Sequence, residues 1–118
     1  AYGIRPDEAV AVDVSYAKSP GTPQNKTGIL GDGPMIGVSP TLCKEITERL
    51  KATANENGIP YQIEAMGGKT STNADVISIS GIPLRYMHTP VEVITESDVE
   101  ATARLICEYI LKGGVKNA

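Results

Sequence analysis

Only one histidine occurs in this 118-residue chain, and it stands in the run Gly81-Ile82-Pro83-Leu84-Arg85-Tyr86-Met87-His88-Thr89-Pro90. A neutral imidazole is the commonest protein ligand for divalent metals and the usual proton carrier near pH 7. One imidazole cannot hold a metal alone, so His88 needs a partner. Asp13 is the best candidate, because it interrupts the apolar run Val10-Ala11-Val12-Asp13-Val14. A strand of that character calls for burial, and a buried carboxylate is costly without a cation, a metal or several N–H donors. Taken alone, each residue has a plainer reading. Asp13 reads as a strand-end carboxylate that meets solvent or Arg85, and His88 as a surface or hydrogen-bonded loop histidine between Tyr86 and Pro90.

Other patterns carry less chemistry. Gly67-Gly68-Lys69-Thr70 suggests a phosphate loop, but Ile63 stands where the first glycine of that motif belongs. Glu64 and Glu92 suggest a glycosidase pair, yet nothing fixes their separation, and a solvated-face role is favoured. Cys43 and Cys107 match no metal or redox spacing. Both fall in predicted helices and read as reduced, mostly packed thiols of a cytosolic protein.

The elements that must position Asp13 and His88 follow from punctuation and periodicity. A strand is expected from Glu8 to Ser15, covered on both faces because its run is nearly continuously apolar. Residues 18–34 form a long loop rich in Gly and Pro, and Met35 to Val38 a short strand. Ser39-Pro40 opens a helix as N-cap and first helical position. Leu42, Ile46, Leu50 and Ala54 give that helix one apolar face, and Gly58 ends it. Ile59, Tyr61 and Ile63 alternate as a strand does, Val76 to Ser80 reads as another, and Val91 to Ile94 as a short further one. Ser97-Asp98-Val99-Glu100 is a capping box. It opens a helix whose Val99, Thr102, Ala103, Ile106, Tyr109 and Ile110 share a face, and Gly113-Gly114 stops it. Strands alternating with amphipathic helices make the class α/β, with a mixed sheet.

The composition bounds what such a fold can do. The length suits one domain, able to bury roughly two-thirds of its unfolded surface. With no Phe and no Trp, the core rests on aliphatic residues and five Tyr. A net charge of −3 with no basic, aromatic-studded stripe excludes nucleic acid as the expected partner. No stretch approaches membrane-spanning length and no signal peptide is visible. The chain opens on Ala1-Tyr2-Gly3 without an initiator methionine and reads as a piece of something longer.

Four segments together, Ala11-Val12-Asp13-Val14, Leu30-Gly31-Asp32-Gly33-Pro34, Gly58-Ile59-Pro60-Tyr61-Gln62 and Ile82 to Val93 with its Arg-Tyr-Met-His core, resemble one family. They are similar, in order and spacing, to the C-terminal part of the glutamyl, or tetrahedral (TET), aminopeptidases, some long labelled cellulase M or endoglucanase. The resemblance implies a three-layer α/β/α, zinc-exopeptidase-like fold, here incomplete. It implies a cytoplasmic, homo-oligomeric, dinuclear metallopeptidase that removes N-terminal residues from short peptides, with two divalent ions, zinc or cobalt. Asp13 would bind one metal and His88 the other. Gly68, Lys69, Thr70, Thr72 and Asn73 would lie near the substrate, although the family has Thr-Asp-Ala where this chain has Thr72-Asn73-Ala74. The stretch from Asp75 to Ile82 is also shorter than the family's helix and strand before the Arg-Tyr-Met-His motif. The bridging Asp, the second His, the ligand Glu and the general-base Glu have no counterpart here, and neither has the dimerisation domain. Residues 1–118 are therefore expected to be the C-terminal segment of a catalytic domain, itself inactive and holding no metal or one weakly bound ion. The alternatives are a non-catalytic α/β assembly module, and a β-glucan hydrolase, which the lack of Trp and Phe disfavours.

Overall fold

The computed structural model describes residues 3, 8–18, 27–39, 42–65 and 78–117, with backbone alone at 78–80 and 113–117. The chain forms β1 (Val10–Tyr16), β2 (Met35–Val38), α1 (Lys44–Glu56), β3 (Gln62–Ala65), β4 (Ser78–Leu84) and α2 (Glu96–Asn117). The strands make one sheet in the order β1-β4-β2-β3. β1 and β4 run parallel, with Asp13 opposite Gly81 and Tyr16 opposite Leu84. β2 and β3 also run parallel, and the two pairs meet antiparallel where Met35 lies opposite Gly81. The sheet is mixed, as expected. Its topology gathers the C-terminal ends of β1 and β4 and the N-terminal ends of β2 and β3 at one end.

One core cluster joins the helices to the sheet: Ile36 of β2, Ile46, Leu50 and Ala54 of α1, Ile59, and Leu105 and Tyr109 of α2. Among the described residues, the second helical layer of a three-layer arrangement has no counterpart. The four-residue apolar step of α1 is buried as its sequence requires, Leu42 included. The C-terminus of α1 is a Schellman closure: Gly58 N–H donates to the Asn55 carbonyl at 3.4 Å and Ile59 N–H to the Ala54 carbonyl at 2.9 Å. Glu8, just ahead of β1, pins both helices. Its carboxylate pairs with the Arg49 guanidinium and accepts the Tyr109 hydroxyl at 2.7 Å, while Arg49 sits 5.1 Å from the Tyr109 ring centroid.

The structure departs from several expectations. β1 is not covered on both faces; it is the first strand of the sheet, and Val12 (50%) and Tyr16 (54%) are exposed. α1 begins at Lys44 with Cys43 as its cap residue. Ser39 instead closes a turn, its carbonyl accepting Leu42 N–H at 3.2 Å. β3 starts at Gln62, later than the alternation suggests, because Ile59 is committed to the helix cap and core. β4 continues through Pro83 to Leu84. The pairing with β2 stops at Gly81, so the missing N–H of Pro83 breaks no ladder bond. Val91 to Ile94 forms no strand but a single antiparallel bridge, Arg85 with Val93.

The second helix departs furthest. α2 starts at Glu96, and the Thr95 carbonyl accepts Asp98 and Val99 N–H, so Ser97 is not the cap. Its buried seam is Asp98, Thr102, Leu105 and Tyr109, whereas Val99, Ala103 and Ile110 are exposed. Gly113-Gly114 does not end the helix, which runs to Asn117. Glycine lowers helical stability by only about 1 kcal/mol per residue and does not forbid the conformation. Cys107 is exposed, not packed, and Cys43 is half-buried; both are free.

Candidate metal centre

β4 delivers His88 into a tight turn. Past Leu84, Arg85 and Val93 exchange two backbone bonds, Arg85 N–H to Val93 O at 2.8 Å and the reverse at 3.1 Å. Between them, Thr89 N–H donates to the Tyr86 carbonyl at 3.2 Å, closing a turn over residues 86–89. The Thr89 hydroxyl donates to the same carbonyl at 2.5 Å. His88 occupies the third position of this turn at φ +65°, and Tyr86 stands at φ +59°. Left-handed backbone at that turn position normally selects Gly or Asn. For a non-glycine residue it costs of order 1–3 kcal/mol, although His, like Asn and Asp, adopts it more often than other side chains. His88 N–H donates to Glu92 Oε2 at 3.1 Å, and the imidazole is exposed.

Asp13 lies on the neighbouring parallel strand, three residues before β1 ends. It is exposed, so the burial cost that seemed to demand a cation does not arise. Its Oδ1 accepts Val14 N–H at 2.7 Å. Ala17 N–H points to β4, donating to Leu84 O at 2.9 Å, so the alternate amides, Val14 among them, face away from β4. Arg85 is not the partner of Asp13; its Nε donates to the Lys18 carbonyl at 2.8 Å.

The surrounding loops are held by residues that sequence reasoning did not single out. The Asp98 carboxylate is fully buried and accepts Gly31 N–H at 2.8 Å and Gly33 N–H at 2.9 Å. Gln62 uses its side-chain amide on the same loop, accepting Ile29 N–H and donating to the Ile29 and Gly33 carbonyls. Gly33 has φ +92°, and a Cβ there would stand 2.1 Å from the Pro60 oxygen, so only glycine fits. The signals were present as Leu-Gly-Asp-Gly-Pro, Tyr-Gln and the acidic start of α2, but nothing in one sequence couples them. Glu64, considered as one half of a glycosidase pair, accepts the Ser15 hydroxyl at 2.7 and 2.8 Å.

The donor types suit a borderline divalent ion: an imidazole nitrogen and a carboxylate whose second oxygen is not used by Val14. Among the described residues, no three His, Cys, Asp or Glu side chains gather to hold a metal, so Asp13 and His88 furnish at most part of a centre. Gly68, Lys69, Thr70, Thr72 and Asn73 lie outside the described residues. An apolar cavity of about 420 Å³ lined by Val38, Leu42 and Thr47 opens at the opposite end of the sheet and is unrelated to this site. No described helix is long and apolar enough to cross a membrane.

Comparison with known proteins gives the site its setting. The chain is 32% identical to a lysyl aminopeptidase of Pyrococcus furiosus over 113 residues, 88% of this chain and 33% of that protein. Its fold matches an aminopeptidase of Desulfurococcus kamchatkensis with a TM-score of 0.81 and 32% identity, over 92% of this chain and 35% of that one. It also matches the TET1 peptidase of Pyrococcus horikoshii, described as assembling into a tetrahedron or a large octahedral shell, with a TM-score of 0.68 and 28% identity, over 89% and 33% of the two chains. The chain thus spans about a third of the length of the relatives it matches. The profile of the M42 glutamyl aminopeptidases matches residues 1–105, and the chain belongs to that family.

Proposed function

We propose that residues 1–118 are the C-terminal segment of the catalytic domain of a dinuclear metal-dependent aminopeptidase that removes N-terminal residues from short peptides. Asp13 is read as a ligand to one ion and His88 to the other. The observation that supports this is the parallel pairing of β1 with β4: Asp13, with one oxygen not used by Val14, stands on the strand beside the one that runs on into the turn bearing the exposed His88. The ions are read as zinc or cobalt; when bound, such a pair polarises a peptide carbonyl and acidifies the attacking water. The chain's own contribution is geometric. The turn at 86–89 holds the imidazole, the β4 ladder holds Asp13, and the remaining ligands and the general base come from outside this chain.

Gly68, Lys69, Thr70, Thr72 and Asn73 are read as lying near the substrate. Support for these five is the family pattern alone, since the described flanks of their segment, Ala65 and Ser78, stand at the end of the sheet away from His88. A homo-oligomer is proposed from the assembly described for the TET1 peptidase, and a cytoplasmic location from the family resemblance. The reading as a non-catalytic assembly module is kept only for the isolated chain, where the described ligands are too few for a complete centre. The test uses the protein as its gene encodes it. His88→Ala and Asp13→Ala should each lower bound zinc or cobalt from two ions toward one per protomer, and cut hydrolysis of short peptides by at least about a hundredfold. Unchanged metal content and activity in both variants would remove the reading. Activity on a soluble β-glucan, with none on peptides, would put the glucan-hydrolase alternative in its place.

A further inference from the structure

We infer that Asp98 is a positioning residue for this centre: its buried carboxylate fixes the exit of the strand that carries Asp13 relative to the turn that carries His88. The inference rests on the ligand reading given above. Asp98 has no exposed surface, and both of its oxygens are used, on Gly31 N–H and Gly33 N–H. Burying a carboxylate is costly unless it is fully hydrogen-bonded. The first turn of α2 offsets part of that cost, since the helix N-terminus favours negative charge. A residue needed only for packing would not carry a charge here. Nor does this carboxylate serve its own helix as a capping box would; it reaches out to another segment.

What Asp98 joins is the informative part. Upstream of Gly31, Gly28 N–H donates to the Tyr16 carbonyl at 3.0 Å, and Lys18 N–H donates to the Gly28 carbonyl at 2.7 Å. The loop held by Asp98 therefore grips the exit of the strand that carries Asp13. On the other side, the Thr95 carbonyl accepts Asp98 N–H at 3.0 Å, and Thr95 follows Val93 by one intervening residue. Val93 is paired with Arg85 across the base of the His88 turn, and Arg85 Nε returns to the Lys18 carbonyl. The hydrogen bonds close a circuit: Lys18, Gly28, the Gly31–Gly33 loop, Asp98, Val93, Arg85 and Lys18 again. Without Asp98, the β1–β4 ladder, with Ala17 N–H on the Leu84 carbonyl, still joins the two strands; past Leu84, the described bond left between the exit of β1 and the His88 turn is the exposed one from Arg85 to Lys18. Metal sites tolerate errors of only a few tenths of an ångström in ligand position. Loss of the buried link should therefore register in metal affinity, not merely in folding.

The test measures zinc dissociation constants by chelator competition, in the protein as its gene encodes it, together with the melting temperature of the metal-free form. Asp98→Asn keeps one acceptor and loses the other. Gly31→Ala strains the same loop at φ +93°, where the added methyl meets open space, so this variant folds. Asp98→Asn should weaken retention of at least one ion tenfold or more, and Gly31→Ala should weaken it in the same direction by threefold or more. Wild-type zinc affinity in both variants, with lowered melting temperatures, would show that Asp98 supports the fold alone and would overturn the inference. Should Asp98→Asn fail to fold, Gly31→Ala decides by the same criterion. His88→Ala separates the two levels. If it also keeps both ions at wild-type affinity, the ligand reading falls and takes this inference with it. If it loses an ion while the loop variants do not, only the positioning role falls.

Discussion

Replacing Gly33 with alanine should destabilise the protein far more than the same change at Gly31, although both residues have φ near +90°. At Gly31 the new methyl meets nothing within 4 Å, so the cost is the positive φ alone, about 1–2 kcal/mol. At Gly33 the methyl would lie 2.1 Å from the Pro60 oxygen and 2.6 Å from its carbonyl carbon. Neither is the far end of a flexible side chain, so the loop itself must move. That movement breaks the 2.9 Å bond from Gly33 N–H to the Asp98 carboxylate and the 3.0 Å bond from Gln62 to the Gly33 carbonyl. A hydrogen bond to a buried charge contributes about 1.5–3 kcal/mol and a neutral one about 1 kcal/mol. Gly33→Ala should therefore cost about 4–6 kcal/mol, a large part of the roughly 5–15 kcal/mol that holds a domain together. Urea unfolding followed by far-ultraviolet circular dichroism measures both variants under one condition. Equal losses, within about 0.5 kcal/mol, would refute the claim that the loop is locked between Pro60 and Asp98.

Further outcomes follow from the same contacts. Tyr109→Phe removes the 2.7 Å bond to Glu8 while Arg49 still pairs that carboxylate, and should cost about 1–2 kcal/mol in the urea assay. Burial, and then the bond to Glu8, push the Tyr109 phenol up to about 12. Its protonated form thus stabilises the fold fully below pH 10, and this contribution, at most about 2.7 kcal/mol, is lost as pH rises from 10 through 12; Tyr109→Phe should flatten that part of the stability–pH curve. Leu50→Ala opens a cavity between both helices and Ile36, and should cost about 2–5 kcal/mol in the same assay. His88→Asn relieves the turn, so metal-free stability should stay level or rise by up to about 1 kcal/mol while one ion is lost from the centre; a clear loss of stability would show the imidazole to be structural.

What was legible in the chain depended on whether its cause is local. The apolar step of α1 and its Gly58 closure were readable because helix periodicity and the Schellman cap involve only neighbours in sequence. The seam of α2 was readable only in part: Thr102 and Tyr109 are buried and Ile106 packs against the core as expected, but Asp98 and Leu105 belong to the seam and Val99, Ala103 and Ile110 do not. That helix carries apolar residues on more than one side, and the turn that faces inward is chosen by Asp98 and Tyr109, whose partners Gly31, Gly33 and Glu8 lie far away in the chain. The run Val10 to Val14 could be read as a strand but not as the first strand of its sheet, because apolar content does not report neighbours. The strand expected over Val76 to Ser80 runs on to Leu84 through Pro83, a residue that cannot donate to a ladder. It is harmless only because β2 leaves the ladder at Gly81, a fact of register and not of composition.

The candidate site shows the same division. Residue type alone picked out His88 and Asp13, since few side chains can ligate a metal and one histidine leaves little choice. The backbone around them was silent in the sequence, and it changes how each is weighed. Asp13 is not a buried charge in search of a cation; it is an exposed carboxylate with one oxygen committed to Val14 and the other open. His88 is not an ordinary loop histidine. It sits where a glycine or asparagine would turn the chain at lower cost, and the turn persists because Thr89, Glu92 and the Arg85–Val93 pair all hold it. A loop selected only to reverse direction has no reason to keep a strained imidazole facing solvent. On the proposed ligand reading, a loop that must hold one nitrogen at a fixed place beside a parallel strand has such a reason, and the strain is then part of how His88 is held.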